Sequence, residues 1–122
     1  MNAGRLGELT PGYDRPVPSL PAPVARLLEA ANSHDAAAFL DCFAEDGVVD
    51  DWGREFRGAD EIEGWSNREF IGVDVTLDVE EVTTDGDETT IGAEVGGRGF
   101  NGPSHFTFTV RDDRIARMTI RE

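Results

Sequence analysis

From Val73 onward the chain alternates apolar and polar residues one by one. Val73, Val75, Leu77 and Val79 interleave with Asp74, Thr76, Asp78 and Glu80, the period of two expected of a strand with one buried face. Asp85-Gly86-Asp87 is a hairpin signal, and Thr89, Ile91, Ala93 and Val95 form the return strand. Glycines 96, 97 and 99 and the turn Asn101-Gly102-Pro103 lead into Ser104 to Val110. There Phe106, Phe108 and Val110 alternate with His105, Thr107 and Thr109. Asp112-Asp113 marks the last turn, and Ile115 to Ile120 the last strand.

The first half keeps a different period. Val24, Leu27, Leu28 and Ala31 recur at helical spacing, Pro23 suits a first helical position, and Asn32-Ser33 ends the run. Asp35 is placed to cap a second short helix carrying Ala36, Phe39, Leu40 and Phe43, closed at Asp46-Gly47. Val48 to Trp52 reads as a short strand turned by Gly53, with Glu55-Phe56-Arg57 as a brief return. Asp60 is placed to cap a third helix with Ile62, Trp65, Glu69 and Phe70 roughly on one side. The order α-α-β-β-α-β-β-β-β predicts an α+β fold, one bent sheet folded over helices. Residues 1–22, rich in Gly and Pro, read as an irregular arm, and 23–122 as the domain.

Charge and composition narrow the chemistry. The net charge is −14, and all 11 basic residues are arginine. Without lysine there is no Schiff-base or pyridoxal-phosphate chemistry and no P-loop lysine. The acidity argues against nucleic acid and anionic membranes as partners. A single cysteine, Cys42, permits no internal disulfide and lacks a cation beside it in the sequence, so it reads as a buried space-filler. The N-terminus carries no apolar core of signal-peptide length, so a cytoplasmic protein is expected. Neither a cofactor nor a metal is expected, since no His or Cys cluster has ligand spacing. The letters G-x-G-x-x-G at 97–102 lie between strands and precede no helix, so they describe a bulged hairpin. Ser104 and His105 are adjacent on a strand, point opposite ways, and form no nucleophile–base pair.

Three stretches resemble the NTF2-like superfamily, the cone-shaped fold of ketosteroid isomerases, scytalone dehydratase and SnoaL-type polyketide cyclases. They are Ala30-Ala31-Asn32-Ser33-His34-Asp35, Phe43 through Asp51, and Phe56-Arg57-Gly58 leading into Ile62. Trp52 to Gly58, Trp65-Ser66, Glu69-Phe70-Ile71-Gly72 and the ending Asp113-Arg114-Ile115 with Met118 resemble a small actinobacterial subset of it. The resemblance covers about residues 23–122. It implies three N-terminal helices packed in a strongly bent, mixed or antiparallel sheet, and a homodimer through the sheet's outer face. Function does not follow from the fold alone, because it hosts enzymes and binding modules alike.

Asp50 and Asp51 end a strand in an apolar neighbourhood, and only one of two adjacent strand residues points inward. Counted without gaps from Asp35, Asp51 falls where ketosteroid isomerases keep their general base, a carboxylate made basic by poor solvation. His105 is open to two readings. Counted back from Ile115 it matches the isomerases' oxyanion-donating acid, while strand parity puts Phe106, Phe108 and Val110 inside and His105 outside. The isomerases' first-helix tyrosine is replaced by Leu27, which sets steroid isomerisation aside. Trp52, Trp65, Phe39, Phe43 and Phe70 are candidates to line an apolar cavity, with Asp50 beside them and Arg54 or Arg98 at the mouth. Two functions stay open. One is a cofactor-free isomerase, cyclase or lyase acting on an apolar or polyketide-like molecule, with Asp51 as base and His105 as acid. The other is a non-catalytic ligand-binding or dimeric interaction module.

Overall fold

The computed structural model describes residues 20–122. Two helices open the described chain: α1 (Ala22–Asn32) and α2 (Ala36–Asp41). Val24, Leu27, Leu28 and Ala31 are buried on α1, as the helical period requires. Asn32 ends α1 and acts as a clamp: its side-chain amide donates to Leu77 O at 3.0 Å and accepts from Leu77 N at 2.7 Å. Asp35 caps α2 by accepting from Ala38 N at 3.1 Å. The helix stops at Asp41, short of the expected Asp46-Gly47, because Phe43 already pairs with Ile115 in the sheet.

The remaining elements are β1 (Phe43–Asp51), β2 (Arg54–Arg57), α3 (Gly58–Glu69), a 3-10 turn over Ile71–Val73, β3 (Thr76–Asp85), β4 (Glu88–Gly96), β5 (Gly102–Arg111) and β6 (Arg114–Arg121). Asp60 does not cap α3. It lies in the first turn with Glu61, where both acids suit the helix dipole, and Arg57 N donates to Glu61 Oε1 at 2.8 Å. Ile62 and Trp65 are buried on its inner side. Val73 and Val75, read as strand, flank a turn instead. Asp74 adopts the left-handed conformation there, and Arg98 holds the segment through Asp74 Oδ2 and Gly72 O, both at 2.9 Å.

The six strands form one mixed sheet in the order β2-β1-β6-β5-β4-β3. Every neighbouring pair is antiparallel except β1 and β6, which run parallel. Bulges interrupt the register between Phe43 and Val48, Val79 and Glu81, and Thr109 and Val110, the devices that bend a sheet. The bent sheet wraps its apolar face around the three helices, giving the expected α+β cone. A single core runs from Leu27 and Phe39 through Ile62 and Trp65 to Phe106, Phe108 and Met118. Among the described residues no helix is long and apolar enough to cross a membrane. Of the expected arm, residues 1–19 lie outside the described residues.

Two turns matter for the site. Trp52 and Gly53 join β1 to β2, both at positive φ (57° and 91°), the two-residue turn that fits the twist of a hairpin. Asp112 and Asp113 make the same kind of connection between β5 and β6, also at positive φ. That short turn fixes the parity of β5: Ser104, Phe106 and Phe108 are buried on the inner face, and His105 is exposed on the outer one.

Candidate functional site

The ends of β1, β6, β5 and β4 enclose a cavity of about 240 Å³ under α3. Its walls are mainly apolar: Trp65, Phe70, Phe106, Val75, Val95 and Ile120. Trp65 and Phe70 stack at 4.9 Å between centroids, and Phe106 lies 6.4 Å from Phe70, so one aromatic layer forms a side of the chamber. Trp52 and Phe100 stand at the rim, more than half exposed at 54% and 57%. They are the only large apolar side chains so exposed among the described residues.

Asp51 is, with Glu69, one of the two carboxylates that line this chamber. Its side chain is 15% exposed. Trp65 Nε1 donates to Oδ2 at 3.0 Å and Arg54 Nη2 donates to the same oxygen at 2.5 Å. Arg54 also holds both oxygens of Glu69, at 3.0 and 2.7 Å, and this contact lowers the Glu69 carboxyl below its ordinary range. Asp51 is therefore not the unsolvated carboxylate expected beside Trp52. It is an acceptor steered by an indole and a guanidinium, with Oδ1 unclaimed by any described residue. An oxygen in that state has lone pairs free to accept a hydrogen bond.

Asp50 faces the other way. It is buried on the outer side, where Oδ2 meets Arg117 Nη2 at 2.7 Å and Arg121 Nη2 at 3.2 Å. Oδ1 accepts from Arg121 Nη1 at 3.1 Å and from Gly53 N at 2.8 Å. The Arg121 hydrogen bond, with those from Gly53 and Arg117, outweighs burial and holds the carboxyl down at about 2. Asp50 is thus removed from the expected binding set. By gripping Gly53 it instead fixes the turn that lifts Trp52 to the rim.

Other expected site residues also lie elsewhere. His105 is exposed on the outer face, with Nδ1 3.1 Å from Glu122 O, so it is not the acid of this cavity. Phe39 and Phe43 pack edge to face at 5.3 Å in the core beneath the cavity and do not line it. Arg98 is spent on Asp74 and Gly72 and does not reach the mouth, whereas Arg54 holds Asp51 there. Trp52, Trp65 and Phe70 line the chamber with Asp51. Burial pushes the Cys42 thiol up, consistent with a space-filler. Among the described residues no group of three or more His, Cys, Asp or Glu is arranged to hold a metal ion.

Ser104, Phe106, Val95 and Phe100 also line the cavity and were not singled out from sequence. The alternation carried part of the signal, since Ser104 shares the parity of Phe106 and Phe108. A second depression of about 550 Å³, between α1 and the β5–β6 turn, is larger and edged by Arg26, Asp41, Asp113 and Arg114. It lacks the apolar wall that makes a small-molecule site.

Comparison with known proteins agrees with this architecture. A model of the SnoaL-like domain matches residues 24–118. No curated protein matches. A Sinorhizobium meliloti protein with the working description polyketide cyclase is 32% identical, with 84% of this chain and 95% of that one covered at a TM-score of 0.74. A protein of ketosteroid isomerase-like fold from Catenulispora acidiphila, in complex with trimethylamine, is 23% identical, covering 85% and 87% at 0.73. A Mycobacterium tuberculosis protein in complex with estradiol-17beta-hemisuccinate is 17% identical, covering 81% and 89% at 0.69.

Proposed function

The chain belongs to the SnoaL-like domain family, and from that premise we propose that its cavity binds a compact, largely apolar small molecule through Asp51. For an enolisable ligand Asp51 serves as the base of a cofactor-free isomerase, cyclase or lyase. The carrying observation is an aromatic chamber in which Asp51 keeps Oδ1 open while its other oxygen is fixed by Trp65 and Arg54, the second carboxylate, Glu69, being held at both oxygens by Arg54. The balance of an isomerisation is simple: a C–H proton passes to Oδ1 and returns to a different carbon of the same molecule. At about 240 Å³ the chamber falls below the roughly 300–1,000 Å³ of drug-sized pockets, which favours one or two rings over a steroid. The polyketide-cyclase description of the Sinorhizobium protein, 32% identical, supports a largely apolar ligand.

One observation favours the second reading, binding without turnover. His105 lies on the outer face, so Asp51 has no histidine partner in the chamber. Two measurements separate the readings: binding of 2-naphthol by calorimetry, and deuterium exchange at the acidic carbon of 2-tetralone by NMR. A catalytic Asp51 accelerates exchange, and Asp51→Asn slows it by about 100-fold or more. Binding that needs Asp51, with no exchange, establishes the binding module. Naphthol binding unchanged in Asp51→Asn, or no binding at all, overturns the site.

The homodimer through the outer face, implied by family resemblance, belongs to the same proposal. Sedimentation at monomer mass across the micromolar range would remove it.

A further inference from the structure

Ser104 stands on the opposite wall from Asp51. It is only 3% exposed, lies on the inner face of β5 and lines the cavity, yet no described residue hydrogen-bonds its hydroxyl. A hydroxyl that borders a chamber and has no partner among the described residues is free to bond with what enters it. The sheet register sets its place. Asp51 pairs with Ile120, Ile120 with Phe106, and Ser104 lies two residues along β5 from Phe106 on the same face. Two strand spacings sideways and two residues along put the Asp51 and Ser104 Cα atoms on the order of 10 Å apart. The floor between them is apolar, made of Ile120 and Phe106, with the Trp65–Phe70 stack on one side.

We propose that Ser104 is a second polar contact of the cavity, so that the ligand is a flat, one- or two-ring apolar molecule with an oxygen function at each end. One end donates to Asp51 Oδ1, and the other, a hydroxyl or carbonyl oxygen, exchanges a hydrogen bond with Ser104 Oγ. The inference deepens the binding role proposed for Asp51 and rests on it. Other polar neighbours do not meet the far end in the same way. Arg68 and Glu69 belong to α3 on the side of Asp51, and Glu69 is committed to Arg54.

Three probes of one shape test it: naphthalene, 2-naphthol and 2,6-dihydroxynaphthalene, titrated calorimetrically into the full chain. In the wild type the diol binds about tenfold tighter than 2-naphthol, the value of one added buried hydrogen bond. Ser104→Ala erases that difference, while Ser104→Thr, which keeps the hydroxyl, retains it. A diol advantage that survives Ser104→Ala, or is absent from the wild type, overturns the Ser104 contact while leaving the Asp51 reading intact. 2-Naphthol binding that is unchanged in Asp51→Asn, or absent from the wild type, overturns both readings, and the naphthalene and 2-naphthol titrations reveal this without the diol.

Discussion

The indole N–H of Trp65 points at Asp51 across 14 residues of sequence, and its hydrogen bond ends on the carboxylate oxygen that Arg54 also holds. One donor is fully buried in α3 and the other is largely exposed on β2, so the two respond to different perturbations. Trp65→Phe keeps an aromatic ring in the stack but removes the buried donor and part of the ring volume, at a cost of about 2–3 kcal/mol in urea unfolding. Asp51 then depends on an ion pair that salt screens. The expected result is 2-naphthol binding that stays within about twofold between low salt and 1 M NaCl in the wild type, but falls several-fold in Trp65→Phe. Equal salt sensitivity in the two proteins would show that the indole does not position the carboxylate.

Asp50 makes stability depend on acid. Its native carboxyl lies at about 2, below the ordinary 3.8, so the unfolded chain binds its proton first as pH falls. The stabilisation is therefore complete above about pH 4 and is lost between there and about 2. Asp50→Asn removes the charge that Arg121 and Arg117 share, and should cost about 2 kcal/mol at neutral pH. Urea unfolding of both proteins at pH 7, 4 and 2.5 tests the sign, because other carboxylates titrate alike in each. The gap must shrink toward pH 2.5. A gap that is constant, or that widens in acid, contradicts the role of Asp50 as a charged anchor.

Trp52 occupies a backbone conformation that suits glycine or asparagine, at φ 57°, while its ring stands in solvent at the cavity rim. Strain of this kind at an exposed aromatic points to a use for the ring. Trp52→Asn fits the turn better and should stabilise by about 1 kcal/mol, a Tm rise of roughly 5 °C. The same change removes one rim wall and should weaken 2-naphthol binding several-fold. Calorimetric unfolding and titration of one sample measure both. A more stable variant with unchanged affinity would relieve the rim of any part in binding.

How far the sequence foretold this arrangement can be judged residue by residue. Helical spacing and the Asp35 cap located α1 and α2, since both signals are local. Alternation located β4 to β6, and the correct parity of β5 was one of the two readings available. The deciding fact was the two-residue turn at Asp112–Asp113, whose length excludes His105 from the interior. What stayed illegible depends on contacts between distant residues. Arg98 bends the segment around Asp74 from 24 residues away, turning apparent strand into a 3-10 turn. Arg117 and Arg121 draw Asp50 outward from about 70 residues away, and that pull decides which of two adjacent aspartates faces the cavity. Phe39 and Phe43 had the right chemistry for a lining, but nothing in their spacing distinguishes a wall from the core behind it.

The parallel pairing of β1 with β6 has a consequence for how the molecule comes into being. The strand that carries Asp51 has no partner on that side until Ile120, about 70 residues later, has been added. Between those moments a nascent chain can assemble helices and the β3–β4 hairpin, both built from near neighbours. The chamber must wait. An emerging polypeptide therefore completes the walls of this cavity in one step, when β6 joins β1 to β5.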